Sequence, residues 1–414
     1  MLEDPLLLAR LQFALTAATH YTFVALTLGL GPYILVSQLV ATLRGDRDRM
    51  RSVRFWGGLY LVNYGMGVLS GLVMELQLAL NWNGLHEMFG YTFAAPLALE
   101  TMTAFFVEST FLGLWVFGWD RMGRWAHLFC FLVVTATAYM SAWWVLVSNG
   151  FLRNPSGFEM VDGEAHLTDP VALMANPASS LTFGHVVTSA LLLGALVVGA
   201  VSAHHLFRGH DPYGTFRRGI RFCTVLMCVM PMVVVSFGGA QFSYFDTAPP
   251  TSGLTYTTEE AEAMTEAAGG GLASAMSQAG SVTMMLMWTL LFFLGPVMAL
   301  VWPFGGLDRW RWFLAPLVVT PVMPYIASVA GWVFRETDRQ PWMVTHHLTT
   351  ADAMTPMPAG AAVASFSFFT AAFAALAAIT LWLLVRFARL GPDLGPLAER
   401  GPEQEEPAAP RLTF

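Results

Sequence analysis

Predominantly apolar blocks of roughly 20 residues or more, the length that crosses a bilayer as a helix, recur along the whole chain between short polar connections. Nine are legible, at about 13–41, 55–80, 94–118, 125–148, 181–206, 217–238, 281–302, 312–335 and 360–386. The pattern predicts an all-α polytopic membrane protein of nine transmembrane helices. The bundle is expected over 1–390 and a Pro/Glu-rich disordered tail over 391–414. Two connections are long, about 149–180 and about 239–280. The second is rich in Thr, Glu, Ala and Gly and reads as a mobile surface segment; loops of this length are functional or disordered.

Composition agrees. Of 414 residues, 55% are apolar and 12% charged, against about a quarter charged in ordinary soluble domains. The net charge of −7 sits in loops and says little about partners. All 21 basic residues are arginine, and lysine is absent. Arg44, Arg47, Arg49, Arg51 and Arg54 fill the first connection, and "WDRMGRW", "FRGHDPYGTFRRGIR", "LDRWRW" and "VRFARL" fall on the same side if the spans number nine. The opposite side holds only Arg153, Arg335 and Arg339, plus Arg10 in the N-terminal segment. The excess of arginine on one side places the N-terminus outside and the C-terminus in the cytoplasm. The start, "MLEDPLLLAR", lacks a basic n-region and a small-residue cleavage site, so the first helix is expected to be retained. Cys130, Cys223 and Cys228 show no CxxC pair and no Cys/His cluster, which points to neither disulfides nor zinc.

Ionisable side chains inside such spans are costly and carry a functional hypothesis by default. They are few: Glu75 in "GLVMELQLALNW", Glu100 and Glu108 in "APLALETMTAFFVESTFLGL", His20 in "LQFALTAATHYTFVALTLGL", and His185 in "SSLTFGHVVTSALLLGALV". Glu100 and Glu108 would lie about 12 Å apart along one α-helix, offset by about 80°. That is too far to share a proton and suitable for successive stops in a relay. The alternative is that each only hydrogen-bonds a neighbouring helix. A membrane histidine is an interhelical hydrogen-bonder, a proton relay, or a metal ligand, most often to haem iron. Met284, Met285 and Met287 in "GSVTMMLMW" enter the membrane at a depth matching the two histidines. His plus Met is an axial pair for haem, although methionine in an apolar helix is usually packing. His204, His205 and His210 sit at a helix C-terminal end, His346 and His347 in a loop, and His86, His127 and His166 near span ends or in loops.

Several segments, in order, resemble subunit I of the cytochrome bd quinol oxidases: "RLQFALTAATHYTFVALTLGL", "FWGGLYLVNYGMGVLSGLVMELQLALNW", "FAAPLALETMTAFFVESTFLGLWVFGWDR", "SAWWVLVSNGFLRNP" and "DRQPW". The resemblance covers essentially the whole chain, most strongly residues 8–155. It implies a multi-pass protein of the bacterial inner membrane and a terminal oxidase that passes electrons to oxygen to form water. Protons would be taken from the cytoplasm and contribute to the membrane potential. It implies His20 as ligand of a high-spin haem b or haem d, and His185 with Met284 as ligands of a low-spin haem b, Met285 competing. Glu100 and Glu108 take the place of the family's proton-path and haem-neighbour carboxylates. Trp332 and Arg339, with Glu75 and Arg10, fall on motif positions. The implied partners are oxidase subunit II and small accessory subunits, quinol or another electron donor, oxygen and membrane lipid; nucleic acid is not among them.

Three departures from the family pattern shape the expectation. In "PYIASVAGW", Val329 stands where a haem-ligating glutamate is expected, which puts a third haem in doubt. No lysine is present to join Glu259, Glu260 or Glu262 in a quinol-binding pair, which puts the donor in doubt. Val282 replaces an expected arginine two residues before the axial methionine. A haem-b electron-transfer subunit with a non-quinol donor or without oxygen chemistry is the alternative. A proton-coupled transporter is a third reading, and no internal repeat supports it.

Overall fold

A computed structural model describes residues 4–247, 255–268 and 271–398. Among the described residues, nine helical segments are long and apolar enough to cross a membrane. The first two are α1 (Pro5–Arg44) and α2 (Arg47–Asn81). The third is composite: α3 (Asn83–Thr101), a π-helical stretch Met102–Glu108, and α4 (Ser109–Phe117). α5 (Arg124–Arg153) follows, then an antiparallel hairpin of β1 (Phe158–Val161) and β2 (Glu164–Leu167), with Phe158 opposite Leu167. A short α6 (Pro170–Met174) leads into α7 (Pro177–Phe207), and α8 (Thr215–Thr247) returns. The second long connection contains α9 (Thr258–Ala268), and α10 (Leu272–Val301) crosses again. After α11 (Gly306–Arg309), the eighth span is built from α12 (Arg311–Leu317) and α13 (Val322–Asp338). β3 (Trp342–Val344), β4 (Leu348–Thr349) and α14 (Thr350–Ala353) form a small surface unit before α15 (Ala359–Leu390).

Each expected span is present, and most helices overshoot it. Hydropathy marks the stretch that sits in lipid, whereas the helix begins wherever its first amides find acceptors. Asp4 caps α1 and Asn176 caps α7, each followed by proline at the first helical position, where its fixed φ suits and its missing N–H costs nothing. At 40 residues, α1 is about 60 Å long, twice the roughly 30 Å hydrocarbon core. It stops at Gly45, whose φ of +65° is left-handed, and Asp46 at once caps α2 by accepting from the Arg49 amide.

α1 is the central element and packs against α2 and α7. A Cβ on Gly29 would lie 2.2 Å from the Ala190 carbonyl oxygen, so the backbones of α1 and α7 touch where Gly29 meets Gly194. Ile34, Trp56, Tyr60, Trp115, Phe131 and Phe216 fill the arginine-rich half. Trp82, Leu85, Phe89 and Phe151 fill the opposite half with residues of the hairpin. The disordered tail expected from 391 lies outside the described residues beyond position 398. Its first residues fold back: Asp393 accepts from the Tyr213 hydroxyl at 2.8 Å, and Pro396 covers Gly58.

Candidate functional site

A cavity of about 1230 Å³ runs between α1, α2, the third span, α5, α7, α8, α10 and α13. It exceeds the roughly 300–1,000 Å³ of ordinary small-molecule sites. His20, His185, Met284, Glu100, Glu108, Trp332 and Arg339 all line it, as do Arg10, Glu75 and Met285. The histidines set aside from the sequence do not. His127 instead bonds Gln38 and the Trp115 carbonyl, and His205 the Ala388 carbonyl.

The two cavity histidines share one arrangement. His20 Nδ1 lies 3.1 Å from the Gly67 carbonyl oxygen and 3.1 Å from Ser70 Oγ on α2. His185 Nδ1 lies 3.0 Å from the Val234 carbonyl oxygen on α8. A carbonyl only accepts, so each Nδ1 carries the proton and each Nε2 keeps a lone pair. A bond of this kind fixes the tautomer and orientation of an imidazole and leaves Nε2 able to donate its lone pair. Both rings lie against glycine. A Cβ at Gly71 would come within 3.0 Å of His20 Cε1, and one at Gly238 within 3.3 Å of His185 Cε1.

Met284 enters from α10 with its Sδ against Gly331 of α13, where a Cβ would lie 2.6 Å from the sulfur. Met285 also reaches the cavity wall, but its side chain is 51% exposed. Met287 does not line the cavity.

The carboxylates come from α2 and the third span. Ser141 Oγ donates to Glu100 at 2.6 Å, and Thr101 Oγ1 donates to Glu75 at 2.9 Å. Glu108 is 3% exposed. The chain between Glu100 and Glu108 is π-helical, which the α-helical estimate of their offset did not anticipate. A π stretch holds close to one extra residue per turn and is frequent at functional sites. Here both glutamates line the one cavity.

The end of the cavity nearest the β elements holds residues the sequence reading passed over. Glu336 accepts from Arg339 Nη2 at 2.5 Å and from Asn149 Nδ2 at 3.1 Å. Arg335 donates to Asn149 and Gln241, and Arg153 to Asp338 and the Arg335 carbonyl. The signal was present: "RETDR" (335–339) packs four charges around one threonine at the end of an apolar span. By contrast, Val329 does not line the cavity, although Ser328, Gly331 and Trp332 do.

α9 packs over the same end, with Trp342 Nε1 donating to Thr265 Oγ1 at 3.1 Å. Of its glutamates, Glu260 is committed to the helix start. It accepts from the Thr257 amide and hydroxyl while Thr257 Oγ1 accepts from the Glu260 amide, a reciprocal cap. These bonds hold its carboxyl below the usual range.

The family description "Cytochrome bd terminal oxidase subunit I" matches residues 8–252 and 273–392. The chain is similar to "Cytochrome bd ubiquinol oxidase subunit 1" of Bacillus subtilis (strain 168), at 29% identity over 94% of both chains. It is also similar to "Cytochrome bd-II ubiquinol oxidase subunit 1" of Escherichia coli (strain K12), at 39% identity over 50% of this chain and 41% of that one. A solved structure of bd oxidase from Geobacillus thermodenitrificans shares the fold, with a TM-score of 0.80 at 24% identity, covering 94% of this chain and 99% of that one. This chain, a multi-pass protein of the bacterial inner membrane, belongs to the cytochrome bd terminal oxidase subunit I family.

Proposed function

We propose that this chain is the haem-holding subunit of a terminal oxidase that takes electrons from a quinol and reduces oxygen to water, working with a second subunit. The carrying observation is the pair of imidazoles, each with Nδ1 anchored on a backbone carbonyl, on the wall of one large intramembrane cavity. The residues fit haem: two nitrogen donors, a thioether, glycine beside each ring, and guanidiniums that suit the carboxylate side chains of a porphyrin. His185 and Met284 would hold a low-spin haem b, and His20 a high-spin haem b or d. Glu336 supports a place for a third haem despite Val329, because it brings a carboxylate to the cavity that Val329 does not reach. Arg339 and Asn149 orient that carboxylate as outer partners do for a ligand. Haem, when bound, supplies the electron transfer and the oxygen chemistry.

The chain's own residues supply the rest. Glu108 and Glu100 hold protons on the cavity wall, with Ser141 and Thr101 fixing the carboxyl positions of Glu100 and Glu75. Arg335, Arg339 and Arg153 bring guanidiniums to the end of the cavity nearest the β elements. The donor would bind over α9, which is tied to the cavity-lining Trp342 through Thr265. The third, seventh and ninth spans bury only 12%, 17% and 11% of their most apolar windows within the chain, leaving faces for lipid and the second subunit.

The test is a reduced-minus-oxidised spectrum with a haem count and a carbon monoxide difference spectrum, followed by oxygen uptake with a quinol analogue. Low-spin and carbon-monoxide-reactive haem with quinol-dependent uptake is expected. A colourless protein removes the reading. Haem silent to carbon monoxide favours the electron-transfer alternative, and no uptake with quinol by an intact, haem-loaded complex removes quinol as donor.

A further inference from the structure

Glu108 can deliver protons to the cavity only if something resupplies it from the arginine-rich face, and α2 carries groups suited to that. Ser52, Trp56, Tyr60 and Tyr64 recur every four residues, so they stack along one face of α2. At the inner end Tyr64 lines the cavity with Glu108, and its hydroxyl lies 3.2 Å from the Oγ of Ser109, the residue after Glu108. Tyr60 sits about 6 Å nearer the arginine-rich end. Its ring lies parallel to that of Tyr64, with centroids 6.2 Å apart and 14° between planes, and Phe131 packs edge-on at 5.5 Å.

The hydroxyl of Tyr60 is the unexplained atom. Tyr60 is 0% exposed, and its hydroxyl has no hydrogen-bond partner among the described residues. A buried polar group left so is costly, and phenylalanine would fill the same space without that cost. Packing therefore accounts for the ring and not for the oxygen. Trp56 only donates and cannot accept a proton in passing, so the chain of exchangeable hydroxyls starts at Tyr60.

We infer that the hydroxyls of Tyr60 and Tyr64 form the last leg of the proton supply to Glu108. The step is a relay. Tyr60 accepts a proton on its oxygen and releases its own toward Tyr64. Tyr64 does the same toward Ser109, and the Ser109 hydroxyl hands a proton to the Glu108 carboxylate. Each oxygen forms one O–H bond and breaks one, with water bridging any gap too long for direct contact, and no phenolate accumulates. The inference rests on the proposed oxidase reading, in which Glu108 carries protons.

The test uses the purified, haem-loaded complex with Tyr60→Phe and Tyr64→Phe. We expect an unchanged haem spectrum and quinol KM, kcat lowered about tenfold because water still carries part of the flux, and a larger solvent deuterium isotope effect. A readout independent of turnover is infrared spectroscopy in D2O. The carboxyl band assigned to Glu108 by its loss in Glu108→Gln should exchange more slowly in Tyr60→Phe. Wild-type kcat, isotope effect and exchange rate in both variants would overturn the relay. Wild-type protein inactive with quinol and with artificial donors would instead overturn the oxidase reading. Should Tyr60→Phe lose haem, Tyr64→Phe decides by the same measurements.

Discussion

Gly331→Ala tests the Met284 assignment without altering either candidate methionine. The new Cβ would lie 2.6 Å from Met284 Sδ and 3.5 Å from its Cγ, so the sulfur must retreat about 0.8 Å to reach ordinary contact at 3.4 Å. The thioether is the free end of a flexible side chain, so the stability cost should fall at the low end of the roughly 1–3 kcal/mol of overpacking. A metal–ligand bond tolerates only about ±0.2 Å. The displacement is several times that, enough to break iron–sulfur ligation while leaving the fold. The His185 bond to Val234 is made on α8, away from the altered position. The assay is a reduced-minus-oxidised spectrum with a carbon monoxide difference spectrum on the purified variant. The low-spin band should weaken and a carbon-monoxide-reactive fraction appear in its place. A wild-type spectrum in Gly331→Ala would refute Met284 as ligand, and loss of the same band in Met285→Leu alone would transfer the role to Met285.

Three further outcomes are expected. His185→Ala should abolish the low-spin haem signal while the protein still inserts and purifies as a complex; an unchanged spectrum would exclude His185. Glu108→Ala should lower oxygen uptake by roughly 10²-fold or more, as loss of a positioned proton carrier does, with the haem content intact; unchanged turnover would end the proton-path role. Beside β3 and β4, burial pushes the His347 imidazole down to about 4 from its ordinary 6.5, with its Nδ1 held 3.1 Å from Thr255 Oγ1. Below pH 6.5 the unfolded segment binds a proton that the folded one refuses, so stability is lost as pH falls from 6.5 towards 4. Amide exchange across 342–349 should accelerate in that window and not in His347→Phe.

The spans, the nine-helix bundle and the ionisable residues that line the cavity were legible because each produces a local signal. An apolar run of bilayer length has few other uses, and an imidazole or carboxylate within it stands out against its neighbours. That His20 and His185 share one cavity was legible only through depth and resemblance, since the partner carbonyls of Gly67 and Val234 are backbone atoms with no mark in the sequence. The π-helical stretch was not legible. "MTAFFVE" reads as ordinary apolar helix, and the extra residue per turn is a property of the hydrogen-bond ladder. Glu336 was missed for a different reason. It falls just past the expected end of the eighth span at about 335, where charge looks like a loop, yet α13 continues to Asp338 and turns that carboxylate into the cavity. Tyr60 gave no signal at all, because a tyrosine in an apolar helix becomes informative only when its hydroxyl is found buried without a partner.

The guanidiniums at the end of the cavity nearest the β elements make the fold depend on what the cavity holds. Arg153, Arg335 and Arg339 gather there around Glu336 and Asp338. Charged groups inside a low-dielectric bundle are costly to desolvate, and the carboxylate side chains of haem would add charge-assisted hydrogen bonds to these guanidiniums. A ligand that binds only the folded chain then stabilises it by mass action, about 4 kcal/mol when present at a thousand times its dissociation constant. Protein made in cells limited for haem synthesis should therefore melt at a lower temperature in detergent and be cut faster by protease at the α5 and α13 ends than haem-replete protein. Arg335→Gln, which removes one cation, should narrow that difference. Equal melting temperatures with and without haem would show that the arginine cluster is neutralised within the protein itself, and the electrostatic case for its binding haem carboxylates would fall with that result.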